Sequence, residues 1–445
     1  MSSSPPAPTH RRAVAATVVG NFVESFDWLA YALFAPLFAP RFFPSSHPLT
    51  SLLGAFAVLG IGVLARPVGG VLLARYADRR GRRPALMLAI GLMTGGSLLI
   101  AVTPDHGTIG LAAPLLLLLA RIAQGISAGG EWPTAAAYLM EQAPRGRACL
   151  YGSLFSLTTA SGVLLASLLG AGLTGGLGPE AMASWGWRVP FVLGAVFGLV
   201  LMVMRARMTE TDVFRREVRT LPTRGSLRRV LGAHRRQVLV SVLFVAGIAT
   251  IGGTWTGVVP AMGARLSSPS TMFWVVVGGT ALVIAANVPI GLLADKVGPR
   301  RFLAAASVLF AAVGSYGYLT MSGDFPSLLL AYGSGALFLV CATTTLPAIL
   351  SGIFPPEVRV LGIGLPHAVT NAVLGGVSPA LATYLAERGA SGWFVAGAMA
   401  AVLLALPAAA LASAARFGAD ADAADADRPG PAPDRKSTLA HANGP

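Results

Sequence analysis

The sequence predicts an all-α integral membrane protein of twelve transmembrane helices in two six-helix halves. Three observations carry this: a composition too apolar for a soluble domain, twelve apolar runs of spanning length, and a basic loop that divides them six and six. The 445 residues are 54% hydrophobic and 12% charged, with a mean hydropathy of +0.67. Soluble domains carry about 25% charged residues. The runs lie near 13–40, 52–74, 84–103, 111–139, 150–177, 189–206, 238–263, 272–294, 302–321, 326–352, 360–386 and 392–415. Each is near or above the ~20 residues that cross ~30 Å of hydrocarbon at about 1.5 Å per residue. Spanning strands are excluded, because the runs do not alternate and are too long.

Taken in order, residues 1–12 form a short cytoplasmic tail. The first run is a span and not a cleavable signal: it carries Glu24 and Asp27 and lacks a short apolar region ending in small residues. The first half then occupies 13–206, an Arg-rich cytoplasmic loop 207–236, and the second half 237–415. Residues 416–445 alternate Ala and Asp before a Pro-, Gly- and polar-rich end. Such a segment cannot bury a core and is predicted to be a disordered cytoplasmic tail.

A formal charge of +14 would suit nucleic acid, but the basic residues are sorted by topology. With both termini inside, cytoplasmic segments hold Arg11, Arg12, five Arg between 75 and 83, Arg145 and Arg147. They also hold ten Arg between 205 and 236, then Lys296, Arg300, Arg301, Arg359 and four basic residues of the tail. The opposite loops hold Arg41, Arg188, Arg265 and Arg388. This is the positive-inside pattern, and it removes nucleic acid as the reason for the charge. Cys149 and Cys341 are isolated and form no disulfide or metal pattern.

Inside the apolar runs the charged side chains are Glu24, Asp27, Arg66, Arg121 and Glu131, all in the first half. A charge at bilayer depth costs roughly 2.5–3.5 kcal/mol, so each must be paired, solvated in a cavity, or functional. Glu24 and Asp27, three residues apart, share a helical face with Asn21. Two carboxylates so close would titrate as a pair, which suits a proton-carrying site; a permanently salt-bridged anchor reads the same way. Arg121, Gln124 and Glu131 fall within an arc of about 80° on one helix. Arg66 lies nine residues before Arg75, roughly 14 Å into the membrane. Forked guanidinium donors suit carboxylates, whether of a solute or of these acids. Protonating an acid would free its Arg for the solute. Three acids against two Arg leave this network one proton from neutrality. In the second half, His367 and Asn371 stand four apart and offer hydrogen bonds across a cavity, with packing inside the helix as the plainer reading.

The halves echo each other. Tyr76-Ala-Asp78-Arg-Arg-Gly81-Arg82-Arg83 is answered by Leu293-Ala-Asp295-Lys-Val-Gly298-Pro299-Arg300-Arg301. Parallel repeats of this kind place a solute site between the halves near the midplane. The segment from Gly70 to Arg83 resembles the loop 2–3 signature of the major facilitator superfamily. Gly20-Asn-Phe-Val-Glu24-Ser-Phe-Asp27, Ala65-Arg66-Pro67-Val-Gly69-Gly70 and the stretch Arg121 to Trp132 narrow the resemblance to its metabolite:proton symporters. That family includes permeases for citrate, α-ketoglutarate, shikimate and proline or betaine. The resemblance implies that Asp78, Gly81, Arg82, Arg83 and Asp295 gate the cytoplasmic ends of the spans. Pro299 departs from the usual signature, and His367 stands where relatives more often carry an aromatic residue.

The expected function is a proton-coupled secondary active transporter in a bacterial inner membrane. It would import a small metabolite, an organic acid such as a di- or tricarboxylate, by alternating access. Asp27, Glu24 and Glu131 would handle the proton, and Arg66, Arg121, Gln124, Asn21, His367 and Asn371 the solute. The gradient does the work, so no cofactor or metal is expected. The partners are the solute, protons and the lipid bilayer, with the protein a monomer and no nucleic acid involved. A proton-antiport exporter of the same fold is the first alternative; those often carry Pro in the fifth span, and Ser161–Gly170 has none. A non-transporting membrane sensor is the second, but a central loop of 30 residues is too short for an output domain. No metal-ligand cluster or nucleophile–base pair points to an enzyme.

Overall fold

The computed structural model describes residues 8–45, 48–210, 214–215, 226–255, 259–267 and 269–387, and they are helical nearly throughout. The six long helices of the first half are α1 (Pro8–Phe42), α2 (Pro48–Arg80), α3 (Arg82–Val102), α4 (Ala112–Gln142), α5 (Ala148–Gly176) and α6 (Val189–Ala206). The second half contributes α7 (Arg235–Gly253), α8 (Pro269–Val297), α9 (Pro299–Leu319), α10 (Phe325–Ser351) and α11 (Arg359–Glu387). Among the described residues, nine helices are long and apolar enough to cross a membrane. The other two, α1 and α11, have 35 and 29 residues. The predicted twelfth span at 392–415, the tail at 416–445 and part of the central loop lie outside the described residues.

The helix ends follow from local chemistry. Gly81 and Gly298, with φ of 118° and 92°, break the chain between α2 and α3 and between α8 and α9. That conformation is open to glycine and costly for other residues. Asp324 starts α10 by accepting from the Ser327 amide at 3.0 Å, a standard cap of orphan donors. In the loop before α4, the Thr108 hydroxyl and amide hold the Asp105 carboxyl below the usual carboxylate range.

The tightest packing is between α2 and α4. A Cβ on Gly69 would sit 1.9 Å from the Ile126 carbonyl oxygen, and one on Gly129 would sit 1.9 Å from that of Arg66. On Gly125 it would lie 2.0 Å from the Gly62 carbonyl oxygen. The two backbones therefore touch, the usual way for membrane helices to gain dispersion contact without hydrophobic drive. Around this pair the first half packs Tyr31, Phe34, Phe38, Phe42, Trp187 and Phe191. The second half centres on Trp255, Phe310 and Phe338. Trp255 donates to the Ala331 carbonyl at 2.9 Å, so it belongs to this core.

The halves meet where α5 lies on α8 and α10, and where α2 lies on α11. Small residues line both seams: a Cβ on Gly152 would meet the Thr344 carbonyl oxygen at 2.1 Å, and one on Gly70 the Ala368 side chain at 2.8 Å.

Gly129→Val is expected to lower stability by about 3 kcal/mol or more, since the overpacking meets backbone that cannot yield. A thermal-unfolding curve in detergent checks this; a midpoint equal to that of the native chain would contradict the packing described.

Candidate functional site

Asp27 comes from α1, Ser97 from α3, and Arg121 and Gln124 from α4; all four are buried. The Ser97 hydroxyl donates to Asp27 Oδ1 at 2.5 Å, and Gln124 Nε2 donates to Asp27 Oδ2 at 2.8 Å. Arg121 Nη1 reaches the same Oδ2 at 3.4 Å and Gln124 Oε1 at 2.6 Å. Arg121 Nε and Nη2 are buried without a hydrogen-bond partner. A buried pair of this kind costs about 3–5 kcal/mol to break by removing one member. The guanidinium also lies over the Tyr31 ring, 3.7 Å from its centre.

Glu24 and Asp27 are not seated as one carboxylate pair. Although they share a helical face, each has its own cation, because the neighbouring helices place Arg121 beside Asp27 and Arg66 beside Glu24. Glu24 lies within electrostatic reach of Arg66, and its Oε2 is buried without a hydrogen-bond partner. Arg66 sits over the Trp28 indole, 4.1 Å from the ring centre, and within electrostatic reach of His367 in the other half. His367 in turn stacks on Trp132 of α4 at 3.9 Å and 3° between planes. Arg66, Trp132 and His367 thus meet where the two halves face each other.

Three further expected residues are engaged with other partners. Asn21 donates to the Phe155 carbonyl at 2.9 Å and to the Thr159 hydroxyl, tying α1 to α5. Asn371 donates to the His367 carbonyl at 2.8 Å, within its own helix. Glu131 pairs at 2.5 Å with Arg205, not with Arg121 or Arg66. Arg205 also donates to the Leu86 carbonyl at 2.8 Å and the Ala16 carbonyl at 3.4 Å. The sequence reading counted Arg205 with the basic central loop, and the structure corrects it: the residue ends α6 and is fully buried. Gly20 makes its room, since a Cβ there would lie 1.8 Å from Arg205 Nη2.

At the Arg-rich end, Asp78 and Arg82 are buried in helices and not in a loop, with Gly81 alone between α2 and α3. Asp78 accepts from Arg82 at 3.0 Å and from the Val360 and Leu361 amides of α11 at 3.2 and 2.8 Å. Arg82 reaches Glu141 at 3.1 Å and the Pro356 carbonyl at 3.1 Å; Arg359 holds Glu141 at 3.1 Å from the second half. Glu210 accepts from the Arg82 and Arg83 amides at 3.1 Å each, and a Cβ on Gly81 would collide with it. Asp295 of α8 mirrors Asp78, accepting from the Cys149 and Leu150 amides of α5 at 2.7 and 2.9 Å. Each carboxylate therefore caps a helix N-terminus of the opposite half, where the dipole favours negative charge. Glu141 was not singled out by sequence; as a lone acid in the last turn of a span it gives no signal.

The fold and these cross-half contacts are those of a transporter built from two halves. The profile described as "Sugar (and other) transporter" matches residues 13–237, and the one described as "Major Facilitator Superfamily" matches residues 242–441. The chain belongs to the major facilitator superfamily. The α-ketoglutarate permease of Escherichia coli (strain K12) is 37% identical over 400 residues, covering 87% of this chain and 91% of that protein. The citrate-proton symporter of Salmonella typhi is 33% identical over 403 residues, covering 88% and 91%. A proton:xylose symporter solved with 6-bromo-6-deoxy-D-glucose has the same fold, with a TM-score of 0.72 at 16% identity over 92% of this chain and 96% of that one. These are transporter families and not enzyme families. Among the described residues, the fully buried ion pairs lie in the first half.

Cys149 is buried beside the Asp295 cap and reports whether that end opens. In a Cys341→Ser background, Asp295→Asn is expected to raise the rate of Cys149 alkylation by N-ethylmaleimide several-fold. An unchanged rate would show that the cap does not hold the seam.

Proposed function

We propose that the chain imports a small carboxylate-bearing metabolite together with protons across a bacterial inner membrane. The observation that carries this is the buried Asp27–Arg121 pair, whose cation keeps two unpartnered nitrogens while its acid is held by Ser97 and Gln124. Protonating Asp27 removes the charge that draws Arg121 and leaves a guanidinium for a solute carboxylate. Arg66 and His367 offer a second cation and a ring at the junction of the halves. The relatives named for α-ketoglutarate and citrate support a di- or tricarboxylate as the solute.

With the basic end in the cytoplasm, as the distribution of Arg requires, the closed Asp78–Arg82–Glu141 and Asp295 contacts seal the inner side. Solute and proton then enter from outside. Once both are bound, the charges inside the first half are matched again and the halves can rock. The caps on α5 and α11 part, and the load is released inward. Glu131, held by Arg205, keeps α4 fixed to α6 during this motion.

In proteoliposomes with an inward proton gradient, the native chain is expected to accumulate α-ketoglutarate or citrate and to alkalinise the outer medium. Asp27→Asn should lose accumulation by tenfold or more, about 1.4 kcal/mol of coupling for each factor of ten, while keeping solute exchange. Uphill accumulation by Asp27→Asn would refute the role of Asp27. Proton-driven efflux in place of uptake would make the protein an exporter.

A further inference from the structure

Two cations lie against the Trp28 ring. Arg66 of α2 lies 4.1 Å from its ring centre and Arg121 of α4 lies 5.0 Å from it. Like charges brought together in an apolar bundle repel, and an electron-rich indole face is what makes their proximity tolerable. The indole Nε1 is buried and has no acceptor, in contrast to that of Trp255, which is tied to the Ala331 carbonyl. No hydrogen bond fixes the Trp28 ring, so its position follows the side chains packed on it. One of those, Arg121, is bound to Asp27, and the other faces His367 across the junction of the halves.

We propose that Trp28 is a positioning residue that transmits the protonation state of Asp27, through Arg121, to Arg66 at the junction of the halves. With Asp27 charged, Arg121 is drawn to the carboxylate and Arg66 rests on the indole. With Asp27 neutral, Arg121 is released from the carboxylate, moves closer to the indole than its present 5.0 Å and displaces Arg66 toward the solute, so that both guanidinia present donors to it. The consequence for transport rests on the proton-coupled reading above; the coupling among the three side chains does not.

The test is a double-mutant cycle read at Arg66. In arginine-¹⁵N-labelled protein in nanodiscs, the Arg66 Nε resonance is assigned by its loss in Arg66→Gln. Asp27→Asn is expected to shift that resonance in the native background and in Trp28→Phe, which keeps an aromatic face. It should leave the resonance in place in Trp28→Leu, or in Trp28→Met should the leucine variant fail to fold. A shift that persists without the ring, a native resonance indifferent to Asp27→Asn, or a phenylalanine variant that behaves like leucine would each overturn the proposal. For α-ketoglutarate uptake, the native KM should rise about fivefold or more as pH increases through the titration of Asp27. Trp28→Leu should flatten that rise and Trp28→Phe restore it. If native uptake proves independent of protons, the transport reading falls, while the resonance cycle still decides the role of Trp28.

Discussion

A guanidinium does not shed its proton, so burying one in an apolar helical bundle dictates where the surrounding acids must go. Arg82, Arg121 and Arg205 are fully buried in the first half, and each has a carboxylate in hydrogen-bond contact. Arg66 is half-buried, with Glu24 as its acid neighbour and an aromatic face beneath it. These pairs fall into two groups with different work. Arg82 and Arg205 anchor the Arg-rich end and the helix junctions next to it. Arg66 and Arg121 lie deeper, over one indole, with nitrogen atoms that no protein group satisfies. Free donors on a buried cation are costly to maintain, and a ligand that completes them recovers that cost.

The contact of α2 with α4 is what holds the second group together. Glycines at 62, 69, 125 and 129 bring the two backbones together, so Arg66 and Arg121 are carried by a single rigid pair of helices. At the seams between the halves small residues also permit close approach, with Gly70 and Gly364 facing each other. At those seams the decisive bonds are carboxylates on backbone amides: Asp78 on α11 and Asp295 on α5. Such caps are strong while dry and readily replaced by water, which suits the opening and closing proposed for them.

Much of this was legible in the sequence because the signals were local. Apolar length marked the nine helices long enough to span among the described residues, and the Asp78–Arg83 stretch with its echo at Asp295 marked contacts between the halves. Partner choice was not legible. Glu24, Asp27 and Asn21 share a helix face in sequence, yet they reach Arg66, Arg121 and α5 respectively, since the neighbours of a helix are set by tertiary packing. Arg205 was hidden by its surroundings: two residues before Arg207 and at the head of a basic stretch, it reads as loop. A last-turn Arg that turns back to bond Leu86 and Ala16 carbonyls has no sequence signature. Trp28 and Trp132 were silent for a similar reason, because aromatic residues in spans serve packing as readily as stacking.

Adding Arg205 changes the charge count that the sequence suggested. Glu24, Asp27 and Glu131 are matched by Arg66, Arg121 and Arg205, so the network is neutral as built rather than one proton short. A proton arriving alone would leave it with a surplus positive charge, and an anionic carboxylate arriving alone would leave it negative. Either imbalance carries the several-kcal/mol cost of an uncompensated buried charge. A proton and a carboxylate arriving together restore neutrality, and only then do the halves enclose no net charge as they rock. The requirement for coupling follows, on this view, from forbidding charge at bilayer depth; Trp28 would set which cation answers the proton. On the proposed reading, a dicarboxylate would require a second proton, and Glu24 beside Arg66 would take it.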